Sequence, residues 1–217
     1  MKPSQLQAVL WDMDGTLIDT EALHFEAWQQ TFDKYGVKAT RETQSASFGM
    51  NSTGIVEYHF GYRPSQDVLD TVIGEKEVLF RRNAVGRATA FPNVERWLDY
   101  FKAHAIPQVI ASSAPMESIE VLVDWLGLAH YFCGYYAGAE LPAKPDPLLF
   151  LTAARDLGAD PAQCLVIEDS TNGVKAALNA GMHCLAITGT HGKAVQNLTD
   201  VTFSGYDADV EALLAQL

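Results

Sequence analysis

Four short segments concentrate the side chains able to do polar chemistry: Asp12-Met13-Asp14-Gly15-Thr16, Ser112-Ser113, Ala143-Lys144-Pro145-Asp146 and Glu168-Asp169-Ser170. Two acidic pairs gathered in one site repel each other unless a cation joins them, because buried like charges disfavour ionisation. A divalent ion meets that need. Mg²⁺ prefers carboxylate oxygens, keeps water ligands and commonly shares its shell with a substrate phosphate. Asp12, Asp169 and the carbonyl of Asp14 could supply the protein's share. A phosphate beside Asp12 otherwise meets repulsion of about 4 kcal/mol per unit-charge pair at ~4 Å, for an effective dielectric of ~20. Mg²⁺ and Lys144 offset that repulsion, and the Ser112 hydroxyl can donate to a phosphate oxygen. The set suits phosphoryl transfer with a carboxylate nucleophile.

Such a grouping requires the four segments to meet, and the intervening pattern says how. Continuous apolar runs at 8–11 (AVLW), 109–111, 164–167 (CLVI) and 184–187 (CLAI) have the length and composition of strands buried on both faces. Between them lie amphipathic segments at 94–101, 117–126, 148–157 and 173–180. Gly127, Gly158 and Gly181 stand where a left-handed helix end belongs. Strands alternating with helices predict a parallel sheet, whose ligands bind beyond the C-terminal strand ends. Asp12, Ser112 and Glu168 each fall at such an end. From 21 to 87 the pattern is helical throughout. Phe25, Trp28, Phe32 and Tyr35 form one apolar face, and Val68, Leu69, Val72, Ile73, Leu79 and Phe80 another. A separate bundle acting as a lid and helices packed on the sheet are the two readings of this stretch.

The totals narrow the function classes. The 217 residues include 15 Lys or Arg and 27 Asp or Glu, so the net charge is 15 − 27 = −12. That balance offers no footprint for nucleic acid and is repelled by an anionic membrane surface. At 48% hydrophobic residues the chain has ample material for a core. The longest stretch free of Asp, Glu, Lys and Arg, 176–192, carries three glycines, two histidines and two threonines and does not read as a membrane span. The first residues lack a secretory pattern. Cys133, Cys164 and Cys184 form no C-x-x-C pair and read as small core residues of a reduced, cytoplasmic protein.

Asp12-x-Asp14-Gly15-Thr16, Ser112 at a strand end, Lys144-Pro145 and Glu168-Asp169 resemble, in order and rough spacing, the four motifs of the haloacid dehalogenase superfamily. The run from Trp11 to Glu21, with Val166-Ile167-Glu168-Asp169-Ser170 and Asn172-Gly173-Val174, is similar to the subgroup of β-phosphoglucomutase and the sugar-phosphate phosphatases. The resemblance implies a three-layer α/β, Rossmann-like parallel-sheet core from residues 1–20 and 88–217, with an all-helical cap domain at 21–87. It implies Asp12 as the nucleophile that becomes aspartyl-phosphate and Asp14 as the acid and base. It gives Ser112, Ser113 and Lys144 to the phosphate, Lys144 also to catalysis, and Asp12, Asp14, Asp169 and Glu168 to Mg²⁺. The expected activity is hydrolysis of small phosphorylated metabolites, sugar phosphates foremost, by a monomer. A phosphosugar mutase and a catalytically quiet binding or regulatory protein are the alternatives. The intact acidic set argues against the quiet protein.

Two residues outside these motifs have competing readings. His24 sits one turn after Thr20 and either reaches substrate or rests on a helix surface. Lys76 on a cap helix either faces the site or faces solvent. The other histidines, at 59, 104, 130, 183 and 191, have no metal-ligand spacing. A phosphate-loop reading of residues 189–193 fails, because Ile187 holds the first glycine position and Ala194 follows Lys193. The cap loop 47–54 contains neither Arg nor Lys, and Ala114-Pro115-Met116 follows Ser113. A mutase needs cations there to grip a second phosphate, so the phosphatase is the expected activity.

Overall fold

The computed structural model describes residues 2–47, 50–189, 195–199 and 201–217. The chain forms two compact units, Met1–Asp19 with Thr89–Leu217, and Thr20–Ala88. In the first, β1 (Ala8–Trp11) opens the sheet; β2 (Ile18–Asp19) and β3 (Thr89–Ala90) pair antiparallel on their own. Then come β4 (Gln108–Ser112), β5 (Gly134–Ala137), β6 (Cys164–Glu168), β7 (His183–Ile187) and β8 (Thr202–Phe203). They form a six-stranded sheet in the order β5-β4-β1-β6-β7-β8, with every neighbouring pair parallel. Counting sheet strands alone, this is the doubly wound order 3-2-1-4-5-6, which reverses direction beside β1.

Strand alternation divides the core into two faces. Ala8, Leu10, Val109, Ala111, Cys164, Val166, Cys184 and Ala186 pack with Leu149, Phe150, Ala153 and Ala154 of α7 (Leu148–Leu157) and with Val174, Ala176 and Ala177 of α8 (Thr171–Asn179). Trp11 points the other way. Its ring meets Phe101 of α5 (Val94–Ala103) and Tyr206, each at 6.1 Å between centroids. Its indole N–H donates to Gln108 Oε1 at 3.0 Å, and Gln108 Nε2 donates to the Leu98 carbonyl at 2.9 Å, so neither buried polar group is wasted. α6 (Met116–Trp125) and α9 (Val210–Leu214) are the remaining α-helices among this unit's described residues. Gly127, Gly158 and Gly181 take the left-handed conformation expected of them.

The second unit contains α1 (Glu21–Lys34), α2 (Arg41–Ala46), α3 (Ser52–Phe60) and α4 (Gln66–Ala84), with no strand among its described residues. Trp28, Phe32, Ala39, Val56, Leu69 and Val72 form its core. Burial corrects two members of the apolar faces read from sequence, since Tyr35 and Val68 are exposed. They sit at the margins of their stripes, where a helix of 3.6 residues per turn rotates side chains out of the contact. Cys133 is likewise exposed rather than a core residue; it lies just before β5, a half-buried strand at the sheet edge. Phe48 and Gly49 of the 47–54 loop, and residues 190–193 of the rejected phosphate-loop segment, lie outside the described residues.

Leu10 is fully buried on the central strand. Leu10→Ala should therefore cost about 2–5 kcal/mol of unfolding free energy in a urea titration. A loss below ~1 kcal/mol would mean that this layer is not the core.

Candidate active site

Three neighbouring strands deliver the polar groups. Asp12 follows β1, Ser112 ends β4 and Glu168 ends β6, and β1 lies between the other two in parallel register, with Trp11 opposite both Ile110 and Ile167. The Asp12 amide continues the ladder by donating to the Ile167 carbonyl at 3.0 Å. Lys144, on the segment before α7, sends its ammonium between the strand ends. It donates to Asp12 Oδ1 and Glu168 Oε1, both at 2.7 Å, and approaches the Ala111 carbonyl at 3.4 Å. The Phe150 ring lies 4.9 Å from the ammonium. The Lys144–Pro145 bond is cis.

Glu168 is fully occupied. Its second oxygen accepts from the amides of Asp169 at 2.8 Å and Ser170 at 2.7 Å. Its carboxylate lies so close over Gly173 that an added Cβ would run into it. Ser170 caps α8 by accepting from the Gly173 amide at 3.0 Å, which fixes the helix start that Glu168 rests on. Asp169 is buried beside the turn after Asp12. Gly15 there has φ of 83° and a backbone pressed against the Asp169 carboxylate. Thr16 Oγ1 donates to Asp169 Oδ1 at 3.3 Å.

Asp12, Glu168 and Asp169 each offer an oxygen within 4.8 Å of the others'. Three carboxylates meet beside the Lys144 ammonium, and the effect appears at Asp12. Burial first, then Glu168, push its carboxyl well above the ordinary value; Lys144 opposes and Asp169 adds to the rise. Burial pulls Lys144 down, but Asp12 and Glu168 outweigh it and hold the lysine above its usual value, as an ammonium. The donors are all buried carboxylate oxygens, so the residues fit a hard divalent ion such as Mg²⁺.

The structure thus brings Asp12, Lys144, Glu168 and Asp169 together, with Ser112 buried at the next strand end and Asp14 half-buried in the turn. Ser112 Oγ accepts from the Ala114 amide at 3.1 Å, while Ser113 is exposed. His24 and Lys76 belong to the helical unit and are joined there. Lys76 is buried, not solvent-facing; it donates to His24 Nδ1 at 3.0 Å and to Glu77 Oε1 at 2.7 Å. His24 stacks on Phe80 with 3.8 Å between centroids. Tyr206 was not singled out by the sequence, yet its hydroxyl donates to the Thr16 carbonyl at 2.9 Å. Burial, then Asp169 and Asp12, raise that hydroxyl above its usual value.

Comparison with known proteins gives the family of the chain. The family model of haloacid dehalogenase-like hydrolases matches residues 6–181. The chain is 30% identical over 182 residues to the phosphorylated carbohydrates phosphatase of Thermotoga maritima, covering 82% of each chain. It is 28% identical over 180 residues to the fructose-1-phosphate phosphatase YqaB of Escherichia coli, covering 82% of this chain and 95% of the other. The crystal structure of β-phosphoglucomutase from Clostridium difficile superposes with a TM-score of 0.84 at 20% identity, over 97% of this chain and 96% of that one, a likeness of fold alone. The chain belongs to the haloacid dehalogenase-like hydrolases, and is therefore an enzyme of the hydrolase class.

Two outcomes follow from this geometry. An alanine inside a helix ordinarily gains about 1 kcal/mol over glycine. Gly173→Ala should instead destabilise by about 1–3 kcal/mol, because the Cβ displaces Glu168; a rise in Tm would contradict the packing. For Asp12, the folded chain binds the proton more tightly than the unfolded chain, so ionisation penalises the fold above the ordinary carboxylate pKa, increasingly until the raised value is passed. In chelator at neutral pH, Asp12→Asn should raise Tm, and the gain should fade as pH drops toward about 4. A lower Tm at neutral pH would show that the buried carboxylates are compensated without a cation.

Proposed function

We propose that this hydrolase is a Mg²⁺-dependent phosphatase of small phosphorylated metabolites, sugar phosphates foremost, working in the cytoplasm through an aspartyl-phosphate on Asp12. The observation that carries the reading is the buried Asp12 carboxylate, held by Lys144 beside Glu168 and Asp169 at the reversal point of the sheet. An Asp12 oxygen attacks phosphorus, and the phosphorus–oxygen bond to the substrate breaks. Asp14 gives its proton to the departing alkoxide, then takes one from the water that attacks the acyl-phosphate; phosphate leaves and Asp12 is regenerated. Lys144 and Ser112 hold the phosphoryl oxygens, with Ser113 beside them. Asp12, Asp169 and the Asp14 carbonyl would hold Mg²⁺, with Glu168 at its outer edge because both its oxygens are engaged. A bound Mg²⁺ supplies charge neutralisation between these carboxylates and the phosphoryl group.

Residues 21–87 serve as the cap in this reading, and His24 and Lys76 are its candidates for substrate contact. Relatives named for fructose-1-phosphate and phosphorylated carbohydrates support the substrate class. No described helix is long and apolar enough to cross a membrane. The mutase alternative needs cap cations for a distal phosphate. Residues 47–54 contain none, and Lys76 is already engaged by Glu77, which leaves Arg81 and Arg82 of α4 as the cations a mutase would have to use.

Asp12→Asn should lower kcat by more than about 1,000-fold, ~4 kcal/mol of barrier, since a carboxamide cannot form the acyl-phosphate. Chelation should abolish activity and Mg²⁺ restore it. Retention of a tenth of wild-type kcat in the variant, or full activity in chelator, would end this reading. Against a panel of sugar phosphates, nucleotides and pyrophosphate, phosphate release from sugar phosphates should dominate. Faster isomerisation of glucose-1-phosphate than phosphate release would establish the mutase instead.

A further inference from the structure

Tyr206 lies three residues beyond β8, far along the chain from the turn that follows Asp12, and is 2% exposed. It touches both ends of that turn. Its ring packs on Trp11, the residue before Asp12, and its hydroxyl donates to the carbonyl of Thr16 at 2.9 Å. Thr16 carries the connection onward, because its own hydroxyl donates to Asp169 Oδ1 at 3.3 Å. Tyr206 is itself held by Trp97, edge-on at 5.1 Å, and by Phe203, at 5.4 Å between centroids. A ring gripped on three sides cannot easily shift, so its hydroxyl is a fixed point for the backbone it binds.

We propose that Tyr206 is a positioning residue: its hydroxyl fixes the Thr16 backbone, and Thr16 in turn aims the Asp169 carboxylate at the divalent cation. The inference rests on the Mg²⁺ reading of the site. Groups that orient a metal ligand without touching the metal commonly change affinity by about 10–100-fold when removed. Two hydrogen bonds in series through one threonine also make a coupled unit, whose losses do not add.

The test is calorimetric titration of Mg²⁺ alone into the metal-stripped full chain, with thermal unfolding as a control for folding. Tyr206→Phe keeps the ring and removes the hydroxyl; it should weaken Mg²⁺ binding about tenfold. Thr16→Val should do the same, Thr16→Ser should bind within a factor of about 2 of wild type because it retains the hydroxyl, and Tyr206→Phe with Thr16→Val should be little worse than either alone. If Tyr206→Phe does not fold, Thr16→Val against Thr16→Ser decides. A Tyr206→Phe protein with lower Tm but wild-type Mg²⁺ affinity overturns the proposal, since that is how a tyrosine filling only the aromatic cluster behaves. So does Thr16→Val binding like wild type. Absence of Mg²⁺ binding by the wild type removes the metal reading itself and the proposal with it, an outcome distinct from both.

Discussion

Three buried carboxylates cluster at the strand ends, and one lysine bridges two of them. Lys144 reaches Asp12 and Glu168 at equal distances, and Asp169 stands within the same cluster. The cost of burying uncompensated charge is several kcal/mol per ion, so this arrangement is among the most expensive in the molecule. Much of the local structure limits that cost. Glu168 takes two backbone amides as well as the lysine, Gly173 leaves room for its carboxylate, and Asp169 is seated against Gly15 and Thr16. Asp12 carries the rest: burial first, then the neighbouring Glu168, push its carboxyl up.

The fold supplies this constraint with little freedom. Apolar strands buried on both faces can bring polar groups into proximity only at their ends, and the reversal of strand order beside β1 opens a crevice there. β1 and its two neighbours each end in a polar group at the same level. The two halves of the core then anchor different members of the site. α7 and α8 pack beneath Lys144 and Glu168, while the aromatic group of Trp11, Trp97, Phe101, Phe203 and Tyr206 lies on the opposite face and holds the turn that contains Asp14 and Thr16.

How much of this the sequence disclosed depended on whether a residue's environment is set locally. The strand runs AVLW and CLVI were legible because continuous apolarity is the local signature of a doubly buried strand; Asp12, Glu168 and Asp169 followed from their places at the ends of such runs, and Lys144 from its Lys-Pro context and its place in the motif order. β5 (GYYA) and β8 (two residues) were not legible. One is a half-buried edge strand and the other too short for any period. Lys76 could be read as site-facing or solvent-facing, but not as buried with Glu77 and His24, because a helical period does not register a partner 52 residues away. Tyr206 was silent for the same reason: its partner carbonyl lies 190 residues earlier, and a single tyrosine after a short strand has no spacing to betray it.

The central claim, that the buried Asp12 carboxylate carries the phosphoryl group, is tested most directly by trapping it. Protein quenched in acid during turnover of a sugar monophosphate, reduced with borohydride and digested, should contain homoserine at position 12 and nowhere else, because borohydride reduces an acyl-phosphate but not a free carboxylate. Unmodified Asp12 under turnover, or reduction at a different aspartate, would contradict the account.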